Sequence, residues 1–227
     1  MQHKKLWIAM TLALTGALFW LAFFWEPAET GAGARAPVLA QAPDAAVGGD
    51  FVLRSPSGPL SLSSYRGKVV LIYFGYTYCP DVCPTSLASM AQALSALTAA
   101  ELAQVGGLFI SLDPARDTME VLQAYAPFFH PAIVGLTGSP GEIAQVARQY
   151  GVRYMERRSD GGAPYTIDHS SAIYVVAPDG KLAAVLPPES SPQSLLAMIR
   201  ALAAGKMTRI SACAQRITEE FRCAQLS

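Results

Sequence analysis

Apolar positions fall into three regimes along the chain. Residues 6–25 are an unbroken apolar run, residues 26–47 have no apolar period, and residues 48–205 alternate short apolar runs with stretches of helical spacing. The third regime predicts a fold. Residues 51–54 read as a short strand, with Ser55, Pro56, Ser57 and Gly58 supplying turn chemistry after it. Residues 68–75 are continuous, β-branched and aromatic, the pattern of a strand buried on both faces. From residue 84 to about 100, Leu87, Met90, Ala91, Leu94 and Leu97 recur at helical spacing, and Pro84 suits a first helical position because its missing N–H would lack a partner there. Strands follow at residues 108–112 and 133–136, with a helix at 118–128 between them. Ser139, Pro140 and Glu142 form a capping-box pattern that predicts a helix over 140–150. Residues 152–158 read as extended and 159–162 as a turn. Residues 171–177 and 182–186 flank Pro178, Asp179 and Gly180 as a hairpin, and Ser191-Pro192 opens a last helix with Leu195, Leu196, Ile199 and Leu202 on one face. This alternation is that of an α/β fold with a central sheet covered on both faces by helices.

The flanks read differently. Residues 6–25 carry no charge, and as a helix they reach about 30 Å, enough to cross a bilayer. His3, Lys4 and Lys5 precede the run while Glu26 and Glu29 follow it, which places the N-terminus in the cytoplasm and the rest outside. A cleaved signal peptide is the rival reading, since Ala34-Arg35-Ala36 and Ala40-Gln41-Ala42 resemble cleavage sites. Both are followed by Pro, and the run exceeds the usual apolar core of a signal, so a retained transmembrane anchor in residues 1–25 is expected. Ala, Gly and Pro dominate residues 26–47, the composition of a flexible linker that would hold a domain at 48–205 roughly 25 Å from the membrane. Residues 206–227 form a tail.

Composition adds exclusions. With 227 residues and 52% hydrophobic content the chain can bury one good core. A formal net charge of zero leaves no basic footprint for nucleic acid.

Candidate chemistry concentrates in two places. Cys79 and Cys83 lie in Tyr78-Cys79-Pro80-Asp81-Val82-Cys83-Pro84, between the buried strand and a helix N-terminus, where unpaired N–H groups favour a thiolate. A disulfide here would close too short a loop to restrain much of the unfolded chain, so a functional pair is expected. Three residues separate the sulfurs, where a dithiol reductase of the thioredoxin type shows two, and the wider loop leaves room for a metal. His169 precedes a late strand, and in open sheets ligands gather at strand ends. Two thiolates and an imidazole suit copper or zinc and exclude calcium or magnesium. Asp168 is a candidate to orient the imidazole or a local cap. His130 reads as a surface or helix-end residue, Arg116 and Asp117 as a turn ion pair. Cys213 and Cys223 can pair within the tail, pair between chains or stay free; their even number in an exported chain favours a bridge in the tail.

Four motifs in order, Tyr73-Phe74-Gly75-Tyr76-Thr77-Tyr78 running into the cysteine loop, Asp113 to Thr118, Gly135 to Gly138, and Asp168-His169-Ser170-Ser171, resemble the Sco/SenC family of copper chaperones over about residues 48–205. Met119 replaces the Pro of that family's pattern, and the tail cysteines have no counterpart. The resemblance implies a thioredoxin-like fold and one copper ion, Cu(I) or Cu(II), held by Cys79, Cys83 and His169. It also implies delivery of that ion to the copper-bearing subunit of cytochrome c oxidase, from a single-pass protein of the bacterial inner membrane whose domain faces the periplasm. Some members are instead thought to reduce that subunit's cysteines, with Cys79 and Cys83 as the catalytic pair, or to act as redox sensors.

Overall fold

In the computed structural model, Trp7 and residues 47–158 and 164–205 are described. The expected anchor and linker, apart from Trp7 and Val47, and the tail with Cys213 and Cys223 lie outside them. Among the described residues no helix is long and apolar enough to cross a membrane.

The 68–75 run forms β3 (Val69–Gly75), and every residue of it is buried, as its two-sided apolarity requires. It is the middle of a five-stranded sheet ordered β5-β4-β3-β8-β9, with β4 (Val105–Ser111), β5 (Ile133–Leu136), β8 (Ile173–Val176) and β9 (Leu182–Leu186). β3 pairs parallel with β4 and antiparallel with β8, so the sheet is mixed. Alternation along β3 feeds two cores. Val69, Leu71 and Tyr73 face α1 (Val82–Ser95), α3 (Met119–Phe129) and α5 (Pro192–Ala203) through Leu87, Met90, Leu122, Leu195 and Ile199. Val70, Ile72 and Phe74 face the opposite way, onto Ile143 and Val146 of α4 (Pro140–Gln149) and Leu53 of β1 (Val52–Ser55).

Several boundaries differ from expectation for local reasons. β1 is half of a hairpin with β2 (Gly58–Ser61), closed by Ser55 Oγ donating to the Gly58 carbonyl at 2.8 Å and by Gly58 at φ +111°. Helix α1 starts at Val82, two residues before Pro84, and ends at Ser95. A separate turn, α2 (Ala99–Leu102), begins with a Thr98–Glu101 capping box, which the continuing apolar period through Leu97 had masked. β4 begins at Val105 rather than at residue 108: Gly106 and Gly107 belong to the strand, and the missing Cβ at Gly106 leaves room for the Tyr65 ring to pack on it. The Ser139–Glu142 capping box is present as expected.

Outside the main sheet, β6 (Tyr154–Arg157) pairs antiparallel with β7 (Thr166–His169), matching Tyr154 to His169. This ribbon carries the histidine, and the short pattern at 166–169 gave no strand signal in the sequence.

Candidate metal centre

The centre is built at the C-terminal end of β3. Gly75 closes the strand because nothing larger fits: a Cβ there would sit 2.8 Å from Cys83 Sγ, 3.0 Å from the Tyr73 ring and 3.1 Å from Phe109. The chain then turns, with Cys79 N–H donating to the Tyr76 carbonyl at 3.2 Å, and enters α1 through Asp81, whose side chain makes no capping bond. Cys83 is thus inside the first helical turn and fully buried, while Cys79 is 9% exposed. The loop is anchored by Asp117. Its carboxylate, itself fully buried, accepts from Thr77 N–H at 3.0 Å, Thr77 Oγ1 at 2.6 Å and Ser111 Oγ at 2.6 Å.

The ribbon bearing His169 is clamped to this loop by Arg116. Its Nε donates to Asp113 at 2.5 Å and Nη1 to the Tyr165 carbonyl at 2.9 Å, while the Tyr165 hydroxyl donates to Asp113 at 2.8 Å. The guanidinium lies 3.6 Å from the Tyr165 ring centre and 4.7 Å from that of Tyr78, so one cation joins the entry to β7 and the neighbour of Cys79. Beyond the clamp, the imidazole of His169 meets Tyr73 and Tyr76 edge-on, with centroids 6.3 and 6.0 Å away.

The result is a convergence of Cys79, Cys83 and His169, whose ligand atoms all lie within 4.8 Å of one another. Cys83 Sγ and His169 Nε2 are 3.4 Å apart. The other ring nitrogen, Nδ1, is 3.1 Å from the Ser170 carbonyl. A carbonyl only accepts, so Nδ1 carries the proton and Nε2 presents its lone pair to the sulfurs. Burial pushes the imidazole pKa down, which keeps the ring neutral. Burial also pushes the Cys83 thiol up, against the Tyr76 backbone N–H directed at the sulfur. Desolvation therefore overrides the helix N-terminus at Cys83, contrary to the thiolate preference expected from its position, and both cysteines are free. The separations suit a metal: donors about 2.0–2.3 Å from a three-coordinate ion stand roughly 3.5–4 Å apart.

A family model described as SCO1/SenC matches residues 39–204. The chain belongs to this family. It is 42% identical over 177 residues to the mitochondrial SCO2 homolog of Bos taurus, an alignment covering 75% of this chain and 65% of that protein. The alignments span 40 to 65% of the length of the first mitochondrial relatives. Among solved structures, Bradyrhizobium japonicum ScoI with copper bound is 37% identical at a TM-score of 0.63, covering 69% of this chain and 99% of that one. BsSco, described through its disulfide switch and as a member of the Sco family of cytochrome c oxidase assembly proteins, is 25% identical at a TM-score of 0.55, covering 71% and 96%. The thioredoxin-like α/β fold is that of these Sco neighbours.

Other expected roles in this Sco-family chain are redistributed. Asp168 does not orient the imidazole: it pairs with the exposed Arg157 across the ribbon, and the Ser170 carbonyl takes that role. Arg116 and Asp117 are not an ion pair with each other, since Arg116 bonds Asp113 and Asp117 bonds Thr77 and Ser111. His130 is at the helix end as expected, capping α3 with its Nδ1 accepting from Ala132 N–H at 3.1 Å. Sequence reasoning missed the Arg116 clamp, whose only signal was an Arg among the aromatic residues Tyr76, Tyr78 and Tyr165, remote in order.

Proposed function

We propose that the chain carries one copper ion between Cys79 Sγ, Cys83 Sγ and His169 Nε2 and delivers it to the copper-bearing subunit of cytochrome c oxidase during assembly. The observation that carries this reading is the convergence of two sulfurs and an unprotonated imidazole nitrogen from segments 86 residues apart. Such a soft donor set accepts copper or zinc; the copper-bound ScoI relative favours copper. Residues 6–25 as a single-pass anchor, residues 26–47 as a linker and residues 206–227 as a tail would place the domain on the periplasmic face of a bacterial inner membrane. Copper here is cargo, and a site whose two cysteines are buried while its histidine is only partly so can both hold it and release it by ligand exchange.

The test uses the full chain, reduced and loaded with one equivalent of cuprous ion. Expected are one copper per chain and an X-ray absorption signal of sulfur and nitrogen scatterers at about 2.0–2.3 Å. His169→Ala should lose copper. A wild-type chain that takes up none, or a His169→Ala chain with an unchanged copper shell, sinks the reading.

A second reading is favoured by the free, adjacent thiols. Cys79, the more exposed, would attack a disulfide of the oxidase subunit to form a mixed disulfide. Cys83 would then displace it, closing a Cys79–Cys83 disulfide and releasing the subunit with both cysteines as thiols. His169 has no part in those steps, so His169→Ala separates the two functions by losing copper while keeping exchange. A redox sensor would use the same Cys79–Cys83 couple.

A further inference from the structure

Two buried hydroxyls behind the metal centre lack a well-formed hydrogen bond. Tyr73 and Ser86 are fully buried, and neither Tyr73 Oη nor Ser86 Oγ has a partner in good hydrogen-bond geometry, although polar groups stand close to Tyr73. Such groups are costly and uncommon, because water solvates them in the unfolded chain. Tyr73 adjoins the Cys83 sulfur, and Ser86 adjoins Tyr73. Ser86 is one helical turn after Cys83 on α1, and Tyr73 has Cys83, Ser86 and Ser171 as polar neighbours. The Tyr73 ring and Cys83 Sγ reach within 3.0 and 2.8 Å of one point, the position a Gly75 Cβ would take. The same ring meets His169 edge-on.

We propose that the Tyr73 hydroxyl, seconded by Ser86, is a hydrogen-bond donor reserved for the Cys83 thiolate, which makes Tyr73 a positioning residue that tunes how Cys83 holds copper. The inference rests on the copper reading above. A protonated thiol is a weak acceptor and leaves the hydroxyl unmatched; a metal-bound thiolate is a charged one and closes the bond. A filling role alone would be met by Phe, as it is at Phe109 in the same core.

The test compares the full-length wild type with Tyr73→Phe in three measurements: unfolding of the copper-free protein in urea, competition for Cu(I) with a chromophoric chelator, and the thiolate-to-copper charge-transfer band of the Cu(II) complex. Expected are an unfolding midpoint equal to or above wild type, copper held about 10–100-fold more weakly, and a band at longer wavelength, since a sulfur without a donor gives up its electron more readily. Ser86→Ala keeps the ring, and the same direction of change is expected, so it serves where Tyr73→Phe folds poorly. Affinity within twofold and an unmoved band overturn the proposal, as does a loss of stability and affinity together with no change in the band. A wild type that takes no copper fells the parent reading as well, whereas one that binds while Tyr73→Phe matches it fells this inference alone.

Discussion

Gly75→Ala puts the site's construction to a severe test. The added Cβ would stand 2.8 Å from Cys83 Sγ, 3.0 Å from Tyr73 Cε1 and 3.1 Å from Phe109 Cε2, where ordinary contact begins at 3.4 Å. All three neighbours are fully buried, and Gly75 itself ends the central strand, paired to Ser111 of β4. None can swing into solvent, so the overlap must be relieved by off-rotamer side chains or by a shift of the strand. Overpacking of this kind costs about 1–3 kcal/mol, and three simultaneous contacts argue for about 2 kcal/mol, or roughly 4–8 °C in a domain of this size. The sulfur is the movable partner with most to lose: displacing it spoils the 3.4 Å approach to His169 Nε2. Urea or thermal unfolding of the reduced chain measures the first effect and chelator competition the second, with copper expected at least tenfold weaker. A Gly75→Ala chain within about 0.5 kcal/mol of wild type and with wild-type copper affinity would show that the sulfur is not confined as described.

Other expectations follow from the same geometry. Asp117→Ala removes the acceptor of three hydrogen bonds from Thr77 and Ser111, and is expected to cost about 2–4 kcal/mol and to weaken copper binding by loosening the Cys79 loop, read by unfolding and chelator competition. Because burial raises the Cys83 thiol, loading near neutral pH must expel its proton; calorimetry in buffers of different ionisation enthalpy should detect that release, and affinity should fall about tenfold per pH unit lowered for that thiol. His169 has its pKa lowered by burial, so the copper-free protein holds that stability above the ordinary histidine pKa of about 6.5 and loses it as pH falls through the folded value, whereas the Cys83 contribution is full below the ordinary thiol value and is lost at alkaline pH; urea midpoints from pH 5 to 9 check both signs. Ser139→Ala breaks a capping box on the far face of the sheet and should cost about 1 kcal/mol without changing copper affinity.

Much of this architecture was legible in one dimension because its signals are local. The two-sided apolarity of β3, the capping box of α4, the Pro-Asp-Gly hairpin between β8 and β9 and the Ser191-Pro192 start of α5 each depend on residues within a few positions of one another. The cysteine pair was legible for the same reason, being four positions apart at a strand-to-helix junction. The reading failed where a local signal had a distant cause. The strand expected from residue 108 begins at Val105, and the ring of Tyr65, 41 residues before Gly106, needs the space that a glycine leaves there. Asp168 looks like a partner for its neighbour His169, yet successive side chains of a strand point to opposite faces, and pairing with β6 gives it Arg157 instead.

What the sequence by itself determined was therefore the alternation of elements, their approximate limits and the identity of three donors with soft chemistry. Only the tertiary structure decided that the donors meet, because their meeting depends on contacts between segments that no spacing rule connects: Arg116 stacking on Tyr165 and Tyr78, Asp117 holding Thr77, and the β6–β7 ribbon presenting Nε2 rather than Nδ1 to the sulfurs. It also decided the balance of forces at Cys83. A helix N-terminus is visible in the sequence, but the depth of burial that outweighs it is a property of everything packed around the sulfur.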